Sequence, residues 1–132
     1  MNPVVRATTL IEVGERMFGV AYAWNDARRA RADRLDFVRR SGEIAARDPQ
    51  PPVLLAVGDD DDESFLVAAR ELHDALAAGY RSPEEVSLVT VAGLGHPLAD
   101  EPGIEPSPQS AGAARVDSEV TAWLRRHIGR GS

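Results

Sequence analysis

Two titratable side chains, Asp61 and His96, close two apolar runs, and together they are the kind of pair that moves protons. Asp61 follows Pro52-Val53-Leu54-Leu55-Ala56-Val57-Gly58-Asp59-Asp60, and His96 follows Val86-Ser87-Leu88-Val89-Thr90-Val91-Ala92-Gly93-Leu94-Gly95. A carboxylate beside an imidazole fixes the ring's tautomer and stabilises the imidazolium formed when the ring accepts a proton. Such a pair activates a nucleophile and is not one itself. The acid position has competitors, because Asp59, Asp60 and Asp62 adjoin Asp61 in one run, with Asp60 and Asp62 its nearest rivals. The plainer reading of Asp61 is a helix cap in a solvated acid run, and that of His96 is a turn residue without chemistry. His73 and His127 fall inside helical patterns and read as packed or surface residues.

The elements that must position this pair are readable. Residues 53–57 are apolar on both faces, as in a parallel strand covered on both sides. Residues 86–91 alternate valines around Leu88 and form a second strand. Between them Phe65, Ala69, Leu72 and Leu76 recur at helical spacing, with Gly79 as a stop. Acids from Asp61 to Glu63 suit the start of that helix, where the backbone dipole favours negative charge. Strand, helix and strand predict a right-handed parallel βαβ unit. Asp61 and His96 then share the carboxyl edge of the sheet, where functional groups collect in such folds. Gly93 and Gly95 allow a sharp return toward that edge, and Pro97 restricts His96 to extended or turn geometry.

Upstream, Thr9-Leu10-Ile11-Glu12 has capping-box spacing and predicts a helix over about residues 8–17 that stops near Gly19. Asn25 or Asp26 can cap a second, arginine-rich helix broken around Ser41-Gly42, with Leu35, Phe37 and Val38 as its apolar side. Asp48-Pro49-Gln50-Pro51-Pro52 is a stiff connection. The stretch from Pro97 to Pro108 reads as irregular, and Ser107-Pro108 as the entry to a helix. Val116, Val120, Trp123, Leu124, His127 and Ile128 make one apolar stripe on a closing helix over 110–128. The expected class is α/β: a helical segment over 1–50, then a βαβα unit with a parallel strand pair over 51–132.

Composition narrows the chemistry. The chain has 132 residues, enough for one domain with a core. It has no cysteine, and all 15 basic residues are arginine, which excludes disulfides, thiolate metal sites and lysine Schiff bases. A formal net charge of -6 argues against a nucleic-acid partner. Arg28, Arg29, Arg31 and Arg34 cluster, but Asp26, Asp33 and Asp36 interleave them, as on a solvated helix face. No apolar run approaches the roughly 20 residues of a membrane span, and the N-terminus lacks a signal-peptide pattern, so a cytoplasmic protein with no membrane partner is expected. The acid run lacks the spacing of a calcium loop, and no metal or organic cofactor is implied. A receiver-like phosphoacceptor domain also places acids at strand ends, but it pairs them with a lysine this chain lacks.

A strand ending in Gly58-Asp59-Asp60-Asp61, a helix, and a strand leading to Gly93-Leu94-Gly95-His96 resembles the C-terminal half of an α/β-hydrolase. In that family the order is nucleophile, acid, histidine. The resemblance implies Asp61 as the triad acid, His96 as the histidine, the closing helix as the family's last, and the segment 5–48 as a lid. Phe18, Tyr22 and Trp24 would then line an acyl or aromatic pocket. The departure is large: no Gly-x-Ser-x-Gly occurs, so the half bearing the nucleophile is expected to be missing and the chain to be a piece. The implied activity is ester or amide hydrolysis in a complete serine hydrolase, with this polypeptide inactive alone. The alternative is a non-catalytic oligomerising module, since a two-strand sheet exposes edges and faces that recruit partners. A homo-oligomer, such as a dimer, or the missing N-terminal half is the expected partner.

Overall fold

The computed structural model describes residues 4–96 and 108–128. Strands β1 (Val53–Gly58) and β2 (Val86–Val91) pair in parallel, in register from Val53 opposite Val86 to Gly58 opposite Val91. Both strands therefore end level, and the chain leaves each at the same edge. They are joined by helix α4 (Glu63–Gly79), so the chain mixes helix and strand around a two-stranded parallel sheet. Phe65, Ala69, Leu72 and Leu76 are all buried on one side of α4, as their spacing requires. Leu72 and Leu76 meet Leu55 and Val86 of the sheet together with Val5, Ala68 and Tyr80. Each such leucine contributes about 1.5–3 kcal/mol by leaving water. Gly79 is the last helical residue of α4, and Tyr80 turns extended and donates its hydroxyl to Pro51 O at 2.8 Å.

The upstream helices differ from the sequence reading in instructive ways. Helix α1 (Ala7–Phe18) starts ahead of Thr9, which is buried within it, so the capping box does not form. Arg6 instead takes the cap position in extended conformation. It is held there by an antiparallel bridge to Asp36 and by ion pairs to Asp36 at 3.4 Å and Glu71 at 2.6 Å. The helix ends at Gly19, as expected. Helix α2 (Asp26–Arg34) is capped by Asn25, whose Oδ1 accepts from Arg28 N–H at 2.9 Å.

It stops at Arg34, well before Ser41-Gly42, so Leu35, Phe37 and Val38 are not its apolar face. The chain turns there and bridges to the start of α1: Phe37 N–H reaches Val5 O at 2.9 Å and Ala7 N–H reaches Leu35 O at 3.3 Å. Those cross-chain bonds replace the helical ones. Ser41–Ala45 is a separate short helix, α3, packed on α4.

Helix α5 (Ala111–Ile128) lies against both strands. Val116, Val120, Trp123 and His127 are half-buried, but Leu124 and Ile128 are exposed, so the stripe is covered along only part of its width. The expected irregular stretch, the Ser107 entry and the constraint from Pro97 lie outside the described residues. No described helix is long and apolar enough to cross a membrane.

Candidate functional site

The loops that leave β1 and β2 are laced together by backbone. Asp59 N–H donates to Val91 O and Asp60 N–H to Leu94 O, each at 3.2 Å. The Asp59 carboxylate accepts from Gly93 N–H at 2.6 Å. Gly93 takes φ 68°, the left-handed conformation that favours glycine, and turns the chain there. Gly58 is required for a different reason: a Cβ there would sit 1.9 Å from Leu94 O. The absence of a side chain at Gly58 lets the second loop cross directly over the end of β1.

That crossing brings His96 to Asp61. His96 Nδ1 lies 3.0 Å from Asp61 Oδ2, and the other carboxylate oxygen accepts from Asp62 N–H at 2.7 Å. An ionised carboxylate only accepts, so Nδ1 is the donor and Nε2 is the nitrogen with an available lone pair. The Asp61 side chain is 4% exposed and that of His96 46%. The acid is thus shielded, where its charge acts more strongly on the ring, while the base is open to a reactant. Phe65, one helical turn beyond Asp61, stacks on the imidazole with ring centroids 5.1 Å apart and planes 30° from parallel. The ring is fixed by a hydrogen bond at one edge and by an aromatic face.

Asp60 and Asp62 do not meet His96 in this arrangement. Asp60 is exposed, and Asp62 is the N-cap of α4, accepting from Ser64 N–H at 2.9 Å. Arg16 of α1 grips the same carboxylate, with Nη2 at 3.1 and 3.0 Å from its two oxygens and at 3.1 Å from Ser64 Oγ. The hydrogen bonds from Ser64, and then that from Arg16, hold the Asp62 carboxyl below the usual carboxylate range. A carboxyl lowered on folding stabilises the fold fully above its unfolded value of about 4, and loses that stabilisation as pH falls through the lower folded value. Asp62→Ala is therefore expected to cost about 1 kcal/mol at pH 7. Urea midpoints of wild type and variant should differ at pH 7 and converge as the solution is acidified below the carboxylate range.

The three aromatics of the helical segment are not all brought together. Phe18 and Tyr22 border a cavity of about 310 Å³ with Ile11, Val20 and Ala23. Trp24 is not on that wall; it meets the Tyr22 ring edge to face at 4.9 Å. The Arg16 clamp ties α1 to the start of α4, the element that follows Asp61. The other histidines are engaged elsewhere. His73 Nδ1 is 2.9 Å from Asp74, and His127 faces Trp123 O at 2.7 Å and Glu85 at 3.1 Å, so both its nitrogens meet acceptors. Among the described residues, no three histidine or acidic groups converge as a metal centre would.

Two contributors, Phe65 and Arg16, are not singled out for the site in the sequence. Phe65 carries a usable signal, lying four residues after Asp61 on the first turn of a helix. Asp59, a competitor for the acid position in the sequence, instead holds the second loop through Gly93 N–H. Arg16 lies 46 positions from Asp62 and carries no local signal. Comparison with family models, curated proteins and solved structures finds no match to this chain.

Proposed function

We propose that this chain carries the orienting acid and the acid–base histidine of a serine acyl hydrolase of the α/β-hydrolase kind. The observation that supports this most is the 3.0 Å contact between buried Asp61 and accessible His96 at the carboxyl edge of a parallel strand pair. In this reading Asp61 holds Nδ1–H, and Nε2 takes the proton from a serine hydroxyl as its oxygen attacks the acyl carbon. The imidazolium then passes that proton to the departing alkoxide or amine. Water repeats the cycle, giving its proton to Nε2 as it attacks the acyl-serine, and the regenerated imidazolium returns a proton to the serine oxygen. The substrate class is an ester or amide, as for an esterase, lipase or peptidase, and the nucleophile comes from a segment with Gly-x-Ser-x-Gly.

Alone, the chain should turn over no ester. Mixed with a separately produced nucleophile-bearing half of an α/β-hydrolase, it should yield p-nitrophenyl ester hydrolysis that disappears with His96→Ala. Equal turnover with His96→Ala would remove the basis of the reading. A second reading, an oligomerising module, draws on the two-stranded sheet, whose outer edges meet no further strand among the described residues. It predicts a dimer of the chain alone by light scattering at micromolar concentration, and a monomer there would rule it out.

A further inference from the structure

The helical arm formed by α1, α2 and the segment between them holds a feature that the Asp61–His96 pair does not use. Tyr22 is shared by two adjoining recesses. On one side lies the apolar cavity of about 310 Å³ bordered by Phe18 and Val20. On the other lies a recess of about 240 Å³ bordered by Arg28, Arg31 and Leu35. Ile11 lines both, so the two are parts of one groove. One end of the groove is apolar and the other carries guanidinium groups.

The cationic end is preorganised. The Arg28 guanidinium lies 5.4 Å from the Tyr22 ring centre and donates to Ala23 O, and Arg29 lies 5.2 Å from the Trp24 ring. With Tyr22 and Trp24 in edge-to-face contact, two arginines and two aromatics form a continuous ladder. The Arg31 guanidinium makes no hydrogen bond or ion pair among the described residues. Of the acids beside the groove, Glu15, which lines the apolar recess, accepts from Tyr22 N–H at 2.5 Å, and Asp33 pairs with Arg39 at 2.8 Å. At the apolar end Phe18 is 76% and Val20 67% exposed, so covering them removes apolar surface from water.

We propose that this groove binds a small amphiphilic carboxylate, its tail against Phe18 and Val20 and its carboxylate on Arg31 and Arg28. The planar guanidinium matches a carboxylate, and the recess sizes suit a chain of about eight carbons or one aryl ring. The formal charge of -6 on the whole chain disfavours broad attachment to an anionic lipid surface, whereas a single small anion meets only the local cationic end. Binding here needs no nucleophile, so the groove's ligand stands or falls apart from the hydrolase reading.

Isothermal titration of the full chain with octanoate tests it, with octan-1-ol as the uncharged probe of the same tail. One saturable site is expected, with Kd on the order of 0.1–1 mM, as suits a ten-atom ligand. Octanol should bind about tenfold more weakly, because it lacks the charge-assisted contact. Arg31→Gln should weaken octanoate about tenfold and leave octanol unchanged, while Phe18→Ser should weaken both. Both positions are exposed, so neither change threatens the fold. No binding up to several millimolar, equal affinity for the two probes, no effect of Arg31→Gln, or attachment only to phosphatidylglycerol vesicles would each overturn the proposal.

Discussion

Gly58→Val should cost the chain about 3–5 kcal/mol, a large share of the roughly 5–15 kcal/mol that stabilises a domain. The reason is backbone, not side-chain, crowding. A Cβ at residue 58 meets Leu94 O at 1.9 Å, Leu94 C at 2.6 Å and Leu94 Cβ at 2.8 Å. Ordinary contact needs more than an ångström of additional separation, and Leu94 has little room to retreat. It is 3% exposed, and its Cδ1 already lies 2.8 Å from where a Cβ on Gly112 of α5 would be. Moving the loop also breaks the Asp60–Leu94 hydrogen bond and strains the one from Gly93 to Asp59. Overpacking of about 1–3 kcal/mol and about 1 kcal/mol for each lost hydrogen bond together make up that cost. Urea unfolding reads it as a fall in midpoint of about 1 M or more at typical slopes. Gly14→Ala is the control: nothing lies within 4 Å of the added carbon, and a helix-interior alanine should leave stability equal or up to about 1 kcal/mol higher. Similar midpoints for Gly58→Val and wild type would mean the loops do not cross as described.

The second large effect is catalytic. In the mixture with a nucleophile-bearing half, Asp61→Asn should lower kcat about 10⁴-fold while leaving the fold intact. Asparagine is close in shape, but its amide can present a donor to Nδ1, which favours the opposite tautomer and occupies the lone pair needed at Nε2. His96→Ala should cost at least as much, because no other described histidine has a nitrogen placed at this edge. Asp60→Asn is the matching control and should change kcat by less than about threefold, since that exposed side chain takes no part in the pair. A large loss with Asp60→Asn and none with Asp61→Asn would reassign the acid.

Much of the frame that carries this site is legible in the amino-acid sequence. The strands are readable because unbroken apolar runs end at glycine, and the buried side of α4 because its spacing matches one helical face. The misreadings share a physical cause: a contact from far along the chain overrides a local signal. Thr9 and Glu12 have the spacing of a capping box, yet Arg6, pinned to Asp36 and Glu71, sets the helix start. Leu35 and Val38 have helical spacing, yet Leu35 O accepts from Ala7 N–H and Phe37 N–H donates to Val5 O. Within the acid run, composition could not separate four adjacent aspartates. The fold gives each a different role. Asp59 binds Gly93, Asp62 caps α4, Asp60 faces solvent, and Asp61 turns inward to His96. Those roles depend on where the second loop crosses, which no local pattern encodes.

The most direct test of the central claim is the tautomer of His96, read from its ring nitrogen shifts by long-range ¹H–¹⁵N NMR. The orienting role of Asp61 predicts that the neutral ring carries its proton on Nδ1 and leaves Nε2 bare. It also predicts that Asp61→Asn shifts the proton toward Nε2, with little change at His73 and His127. A His96 ring protonated mainly on Nε2 in the wild type, or one indifferent to Asp61→Asn, would contradict an acid–histidine pair built to serve a nucleophile.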